Sequence, residues 1–280
     1  MKKFRFIAVL LLVAVAMAGC GGGGGDADQI DPETGKPSTK TGKLSQIKDA
    51  GYIVMYTNAE FPPYEFLDGN DIVGVDVEIG RAIADEIGVE LEVVNADFGG
   101  LVASIASGKG DVGISGITVT EDRKREVDFS VPYVDSVQYL IIPEDSGIRF
   151  VEDLATKTIG VQTGTTGSML VEDEINVGVL KAEGGAELRQ YTSAPIAMQD
   201  LLNGRLDAVV IDELVAIALA GENPGYTAKP FIYSAGTPMT EQFAVAVAKG
   251  NEDLLAVIDK VVGEMVEDGL IEHYIQQYSE

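Results

Sequence analysis

The chain has 280 residues, with 45 acidic against 20 basic side chains, one histidine, one cysteine and no tryptophan. That length favours two lobes over one, the single cysteine forbids an internal disulfide, and with one histidine there is no ordinary zinc cluster. A formal charge of −25 argues against nucleic acid or an anionic membrane surface as the main partner, and a histidine-dependent triad has only His273, near the C-terminus, to use.

The chain opens with Lys2, Lys3 and Arg5, then an apolar run of 13 residues from Phe6 to Ala18. The run is too short to cross a bilayer core of roughly 30 Å as a helix, but it suits the apolar region of an export signal. It ends in Met17-Ala18-Gly19-Cys20, which resembles a bacterial lipoprotein signal, although Met17 stands where leucine is usual. Cleavage before Cys20 would make that residue the lipid-bearing first one. The mature chain then keeps 45 acidic and 17 basic side chains, a net of −28. Five glycines at 21–25 and the polar stretch after them cannot bury a core, so residues 20–43 read as a lipid-anchored flexible tether.

From Leu44 onward the apolar period switches repeatedly between two and 3.6. Gly51–Thr57 reads as a strand, and Val75–Ile87 as a helix with Val75, Ile79, Ala82, Ile83 and Ile87 on one face and Gly88 as its C-cap. Leu91–Val94 is predicted extended, Leu101–Ala106 helical and Asp111–Ser115 extended. Ser136–Ile142 and Thr158–Gln162 read as strands, with Val151–Ala155 a short helix between them. Thr165–Glu174 is predicted helical, Glu187–Thr192 extended, Ala194–Leu202 helical, Asp207–Ile211 a buried strand and Asp212–Ala220 helical. Phe231 opens an extended piece, Phe243–Ala248 is a last strand, and Asn251–Tyr278 is an amphipathic helix broken near Gly269. Strands alternating with helices predict α/β lobes with mostly parallel sheets.

Ligands of open α/β sheets lie beyond the carboxyl ends of the strands. Four such ends here are polar: Thr57–Tyr64, Ser115–Thr120, Thr163–Gly167 and Asp212. Ser115, Thr118 and Thr120 offer hydroxyls, and Gly116 admits close approach of the backbone. Arg123, on the first turn of the next helix, either grips a carboxylate in a bidentate fork or belongs to a solvated EDRKRE face in which Arg125 pairs with Glu121. Thr165 or Thr166 either caps a helix or donates to an anion. Asp212 either caps a helix or receives an ammonium group. Phe61, Tyr64 and Phe98 are core or stacking residues. No phosphate-binding glycine motif follows a strand, so neither a cofactor nor a metal is expected.

In order, TNAEFPPYEF, VGVDVEIGRAIADEIG, SGITVTEDRKREVDFS, IGVQTGTTG and DAVVID resemble the bacterial extracellular solute-binding proteins of the polar amino-acid type, over about residues 46–278. The resemblance implies a two-lobe periplasmic-binding-protein fold of type II, with lobe one at 44–136 plus 241–280, lobe two at 137–240, and crossings near Tyr133–Val137 and Met239–Phe243. It implies a monomeric receptor outside the cytoplasm, lipid-anchored at Cys20, that closes on an L-amino acid and delivers it to an ABC importer permease without catalysis. By the same resemblance Arg123 and Thr118 hold the ligand α-carboxylate, with Thr165 or Thr166 donating from the other lobe. Asp212 takes the α-ammonium, with the carbonyl of Ser115 or Gly116, and Phe61 and Phe98 sandwich the side chain. Relatives often carry an acid where Asn58 stands, so Asn58 weighs against a basic ligand unless Glu60 substitutes. Asn58 with Gln162 suits a polar uncharged side chain, and the side chain stays open. The alternative on the same scaffold is a periplasmic dehydratase of the arogenate or prephenate type, with Glu60 the nearby general acid. A sensory domain would need a separate receptor partner, because no spanning helix follows within the 280 residues.

Overall fold

The computed structural model describes residues 42–236 and 240–279. The signal at 1–19, Cys20, the tether up to residue 41, and Met239 of the second crossing lie outside the described residues.

Two α/β layers carry the cleft. In the first, five strands run in the order Glu90–Asn95, Tyr52–Thr57, Val112–Gly113, Ala246–Ala248 and Val127–Phe129. The second has the order Glu187–Tyr191, Thr158–Gln162, Ala208–Asp212, Val134–Pro143 and Tyr226–Pro230. The sheets are mostly parallel, as expected, with one reversed strand in each five-strand order. Four strands share a direction, and Ala246–Ala248 in the first sheet and Val134–Pro143 in the second run against them. The reason lies in the crossing: Val134–Pro143 carries the chain out of the first layer into the second, and Thr240–Phe243 pairs back against its first half. A strand that enters a layer from its neighbour starts at the opposite end from one fed by a local helix, so it joins the ladder reversed.

Each helix is placed by its apolar stripe. Val75–Ile87 buries Val75, Ile79, Ile83 and Ile87 and stops at Gly88, whose φ of 82° is the left-handed turn that glycine adopts without strain. Leu101–Ala106 and Ala194–Leu202 form over the predicted residues. The C-terminal segment divides into Glu252–Glu267 and Leu270–Ser279 around Gly269, as its glycine suggested. A helix over Lys43–Ala50, tied by the Lys43–Asp111 ion pair, and a three-stranded sheet of Glu60–Phe61, Glu65–Asp68 and Asp71–Val73 carry no expectation from the sequence.

Three local expectations fail for identifiable reasons. Phe231 stands just beyond the strand Tyr226–Pro230 rather than opening one, and its ring is buried against Tyr233. The FAVAVA run is interrupted at Ala244 and Val245, whose amides bond Ile117 and the Ser130 hydroxyl while the chain changes sheets. Arg125 pairs with Asp122 at 2.8 Å instead of Glu121, because the helix of Arg123–Glu126 is a single turn that puts i,i+3 neighbours together.

Candidate functional site

The polar strand ends converge on one small enclosed space. Phe61, Phe98, Gly116, Thr118, Arg123, Gln162, Thr165, Thr166 and Asp212 line it. Its free volume is about 10 Å³, the room of one water, so the two sides are closed on each other.

Arg123 is 6 % exposed, which excludes the solvated-face reading of this residue. Burial lowers its pKa, and the nearby carboxylates of Glu241 and Asp212 oppose that shift. Its Nη1 donates to the Thr118 carbonyl at 2.7 Å, and Nη2 reaches across to the Gly164 carbonyl at 3.0 Å. The Phe98 ring lies 5.5 Å from the guanidinium carbon, within cation–π range. A buried guanidinium held by two carbonyls has no carboxylate of its own, so an anion entering here would find a desolvated, oriented fork.

Asp212 ends the strand Ala208–Asp212 and precedes the helix Glu213–Gly221, yet its side chain makes no cap bond. The capping alternative therefore falls. Its Oδ1 instead accepts from the Ser136 hydroxyl at 3.2 Å. Burial pushes its pKa up to about 7, with repulsion from Glu241 adding to the rise and Gln138, Ser136 and Arg123 holding it back. Such a carboxyl gains most from a cation brought against it.

Thr165 does cap a helix: its Oγ1 accepts from the Ser168 amide at 3.1 Å and donates to the Gln162 carbonyl at 2.8 Å. The backbone at the start of Thr166–Asn176 thus faces the cleft with donors free of intrahelical partners. Asn58 and Gln162 meet directly, Nε2 of Gln162 donating to Oδ1 of Asn58 at 2.9 Å across the cleft. Gln162 Nε2 also reaches the Thr192 carbonyl at 3.3 Å, leaving Oε1 buried without a donor.

Phe61 lines the space and stacks on Tyr64 at 5.8 Å, while Tyr64 itself is core, 5.3 Å from the Phe243 ring. Gly116 brings its backbone against Phe61 with φ of 50°, and a Cβ there would stand 2.7 Å from the Phe61 ring. Ser115 departs from expectation in one respect. Its hydroxyl points away from the cleft, donating to Glu65 at 2.6 Å and accepting from the Asn58 amide at 3.0 Å. Thr120 likewise accepts from the Arg123 amide at 3.2 Å. Glu60 is not among the lining residues, and His273 is exposed on the last helix. Among the described residues no cluster of His, Cys, Asp or Glu could hold a metal ion.

Sequence reasoning missed Glu241. It lies on the returning strand Thr240–Phe243, and one of its oxygens, Oε2, accepts from three donors: Thr166 Oγ1 at 2.7 Å, Thr118 Oγ1 at 3.0 Å and Gln138 Nε2 at 3.2 Å. Thr118 follows the first layer's strand end and Thr166 opens a helix of the second, so one hinge carboxylate ties both. The available signal was an acid inside a crossing segment, next to an otherwise apolar FAVAVA run.

Residues 53–280 match the model of bacterial extracellular solute-binding proteins, family 3. The chain belongs to that family. This solute-binding protein is 30% identical to the L-cystine-binding protein TcyJ of Escherichia coli (strain K12), over 82% of its own length and 84% of the relative's. It is 31% identical to the arginine-binding extracellular protein ArtP of Bacillus subtilis (strain 168), covering 79% of this chain and 83% of that one. Among solved structures, a mutant of ArgBP from T. maritima superposes with a TM-score of 0.74 at 38% identity, over 84% of this chain and 98% of that one. AbpA from Streptococcus pneumoniae, bound to L-arginine, superposes at 0.76 with 31% identity, over 84% and 97%. The two-lobe type II fold expected from the sequence is therefore the fold of this protein. The matched relatives are named as binding proteins, two of them from Escherichia coli (strain K12) as arginine-binding proteins of ABC transporters. No helix among the described residues is long and apolar enough to cross a membrane.

Proposed function

We propose that this solute-binding protein captures one L-amino acid between lobes 44–136 plus 241–280 and 137–240, and hands it to an ABC importer permease. It acts as a monomer without catalysis, held to the membrane by a lipid on Cys20. The observation that supports this best is that one buried cation, Arg123, and one buried anion, Asp212, line the same enclosed space. An α-amino acid carries the complementary pair of charges on one carbon, and each unpaired buried charge costs several kcal/mol.

In this reading Arg123, Thr118 and the amide of Thr165 or Thr166 take the α-carboxylate. Asp212 and a carbonyl of Ser115 or Gly116 take the α-ammonium. The side chain runs between Phe61 and Phe98 toward Asn58 and Gln162. Arginine is the ligand we favour. Asn58 brings no acid to the side-chain end and Glu60 is not in the lining, so the choice rests on Gln162 Oε1, a buried acceptor with no donor that a guanidinium would supply. Arginine-binding proteins among the relatives point the same way.

Calorimetric titration of the ligand-stripped protein against the twenty L-amino acids tests the proposal. Tight binding led by arginine supports it. Binding led by a neutral side chain would refute the ligand choice while keeping the receptor, and no binding to any would remove the amino-acid reading.

A further inference from the structure

Below the floor of the cleft lies a pair of acids that the binding reading does not use. Glu65 and Asp76 are both fully buried, near enough to feel each other's charge, and each has one oxygen in service. Glu65 Oε1 accepts from the Ser115 hydroxyl at 2.6 Å, and that hydroxyl accepts from the Asn58 amide at 3.0 Å. Asp76 Oδ2 accepts from the Gly116 amide at 2.7 Å and from the Tyr133 hydroxyl at 3.0 Å. The remaining oxygens, Glu65 Oε2 and Asp76 Oδ1, have no donor. Two ionised carboxylates side by side, each with an orphaned lone pair and no exposure to water, would be untenable.

We propose that Glu65 and Asp76 hold one proton between them at neutral pH, and that this acid–carboxylate pair positions Asn58, Ser115 and Gly116 at the floor of the cleft. The proton sits on Glu65 and the charge on Asp76. Asp76 has the Gly116 amide and the Tyr133 hydroxyl to stabilise an anion, and it lies in the first turn of the helix Val75–Ile87, whose N-terminus favours one. The titratable groups that face the pair are Tyr64, Tyr133 and Asp212, none of them a cation. Burial is the leading cause that raises Glu65 well above the carboxylate range, and Asp76 is raised only to about 6. The pair stands on its own geometry and is independent of which ligand the cleft takes.

The proton is measurable in two ways on the full chain, and the positioning role in a third. Urea unfolding of wild type and Glu65→Gln between pH 7 and 9, above the value of about 6 to which Asp76 is raised, compares a folded state whose Glu65 holds a proton with one whose glutamine cannot. The ratio of their unfolding constants should change close to tenfold per pH unit, wild type losing ground as pH rises. Titration of Asp212 is common to both proteins and cancels. A flat ratio means Glu65 is ionised in the folded state and overturns the proposal. The infrared carbonyl stretch of a carboxylic acid at pH 8, above the amide envelope and missing in Glu65→Gln, tests the same point in wild type alone, should the variant not fold. Its absence overturns the proposal too. For positioning, exchange of the Asn58 and Gly116 amides should speed up at least tenfold in Glu65→Leu and return to within about threefold of wild type in Glu65→Gln. Unchanged exchange in Glu65→Leu would remove the positioning role.

Discussion

Arg123 donates across the cleft to the carbonyl of Gly164 at 3.0 Å, so the residue proposed to take a ligand carboxylate also holds the closed sides together. The enclosed space of about 10 Å³ has no room for an amino acid while this bond and the Gln162–Asn58 bond stand. Entry requires opening, and the ligand must then offer more to the closed state than these bonds did. Arg123→Ala removes the fork and leaves any bound carboxylate unpaired, which should weaken binding by about 2–5 kcal/mol. Arg123→Lys should recover only part of it, since an ammonium cannot supply the bidentate geometry. Calorimetry of both variants decides this, and a wild-type affinity in Arg123→Ala would move the carboxylate elsewhere.

Gly116 is constrained twice over, by a φ of 50° and by the Phe61 ring 2.7 Å from where a Cβ would stand. Gly116→Ala should cost about 1–3 kcal/mol of folding stability through the backbone alone, and ligand binding should weaken as Phe61 is displaced. Urea denaturation and titration of one preparation measure both. A variant with unchanged midpoint and affinity would show that the loop yields without strain.

How far the sequence carried the fold depends on how local each signal was. Val75–Ile87 was legible because its apolar residues recur at helical spacing and Gly88 closes it, all within fourteen residues. Val112–Gly113 was read too long, because the run Asp111–Ser115 is uniformly buried while only two of its residues pair with neighbouring strands. Ladder partners are a property of distant segments. The same distinction divides the site. Arg123, Thr118, Thr165, Thr166 and Asp212 lie at a strand's last residue or in the loops and first helical turns after strands, and they share one lining. Glu241 became visible only when the returning strand was placed beside Ser136, its register partner. The inward turn of the Ser115 hydroxyl depends on Glu65, fifty residues away.

Asn58 and Gln162 govern the choice of side chain in the proposed binding mode. Gln162→Leu keeps much of the volume but removes the unmatched acceptor Oε1 and the 2.9 Å bond to Asn58. A site that offers a buried acceptor discriminates strongly for ligands with a donor, and an apolar replacement forfeits this. Arginine affinity should fall by about 1–3 kcal/mol, while leucine or methionine loses nothing or gains. A competition titration of arginine against methionine reads the ratio directly, and an equal loss for both would place the side chain away from Gln162.

Asp212 and Glu241 make binding sensitive to pH in a direction that can be worked out. With its pKa raised to about 7 by burial first and by Glu241 second, Asp212 of the ligand-free closed protein is largely protonated below that value. Receiving an ammonium group requires the ionised form, so binding must release a proton there. The apparent dissociation constant should therefore rise as pH falls from 7 toward 5, approaching tenfold per unit. Calorimetry in two buffers of different ionisation enthalpy should detect the released proton at pH 6 and lose it by pH 8. Glu241→Gln removes the repulsion that helps raise Asp212, so the whole dependence should shift to lower pH. It also replaces an acceptor shared by Thr118, Thr166 and Gln138 with a group that can donate as well as accept, which should weaken closure. If the pH dependence keeps its position in Glu241→Gln, the acid that titrates is not under the influence of Glu241, and Asp212 is not that acid.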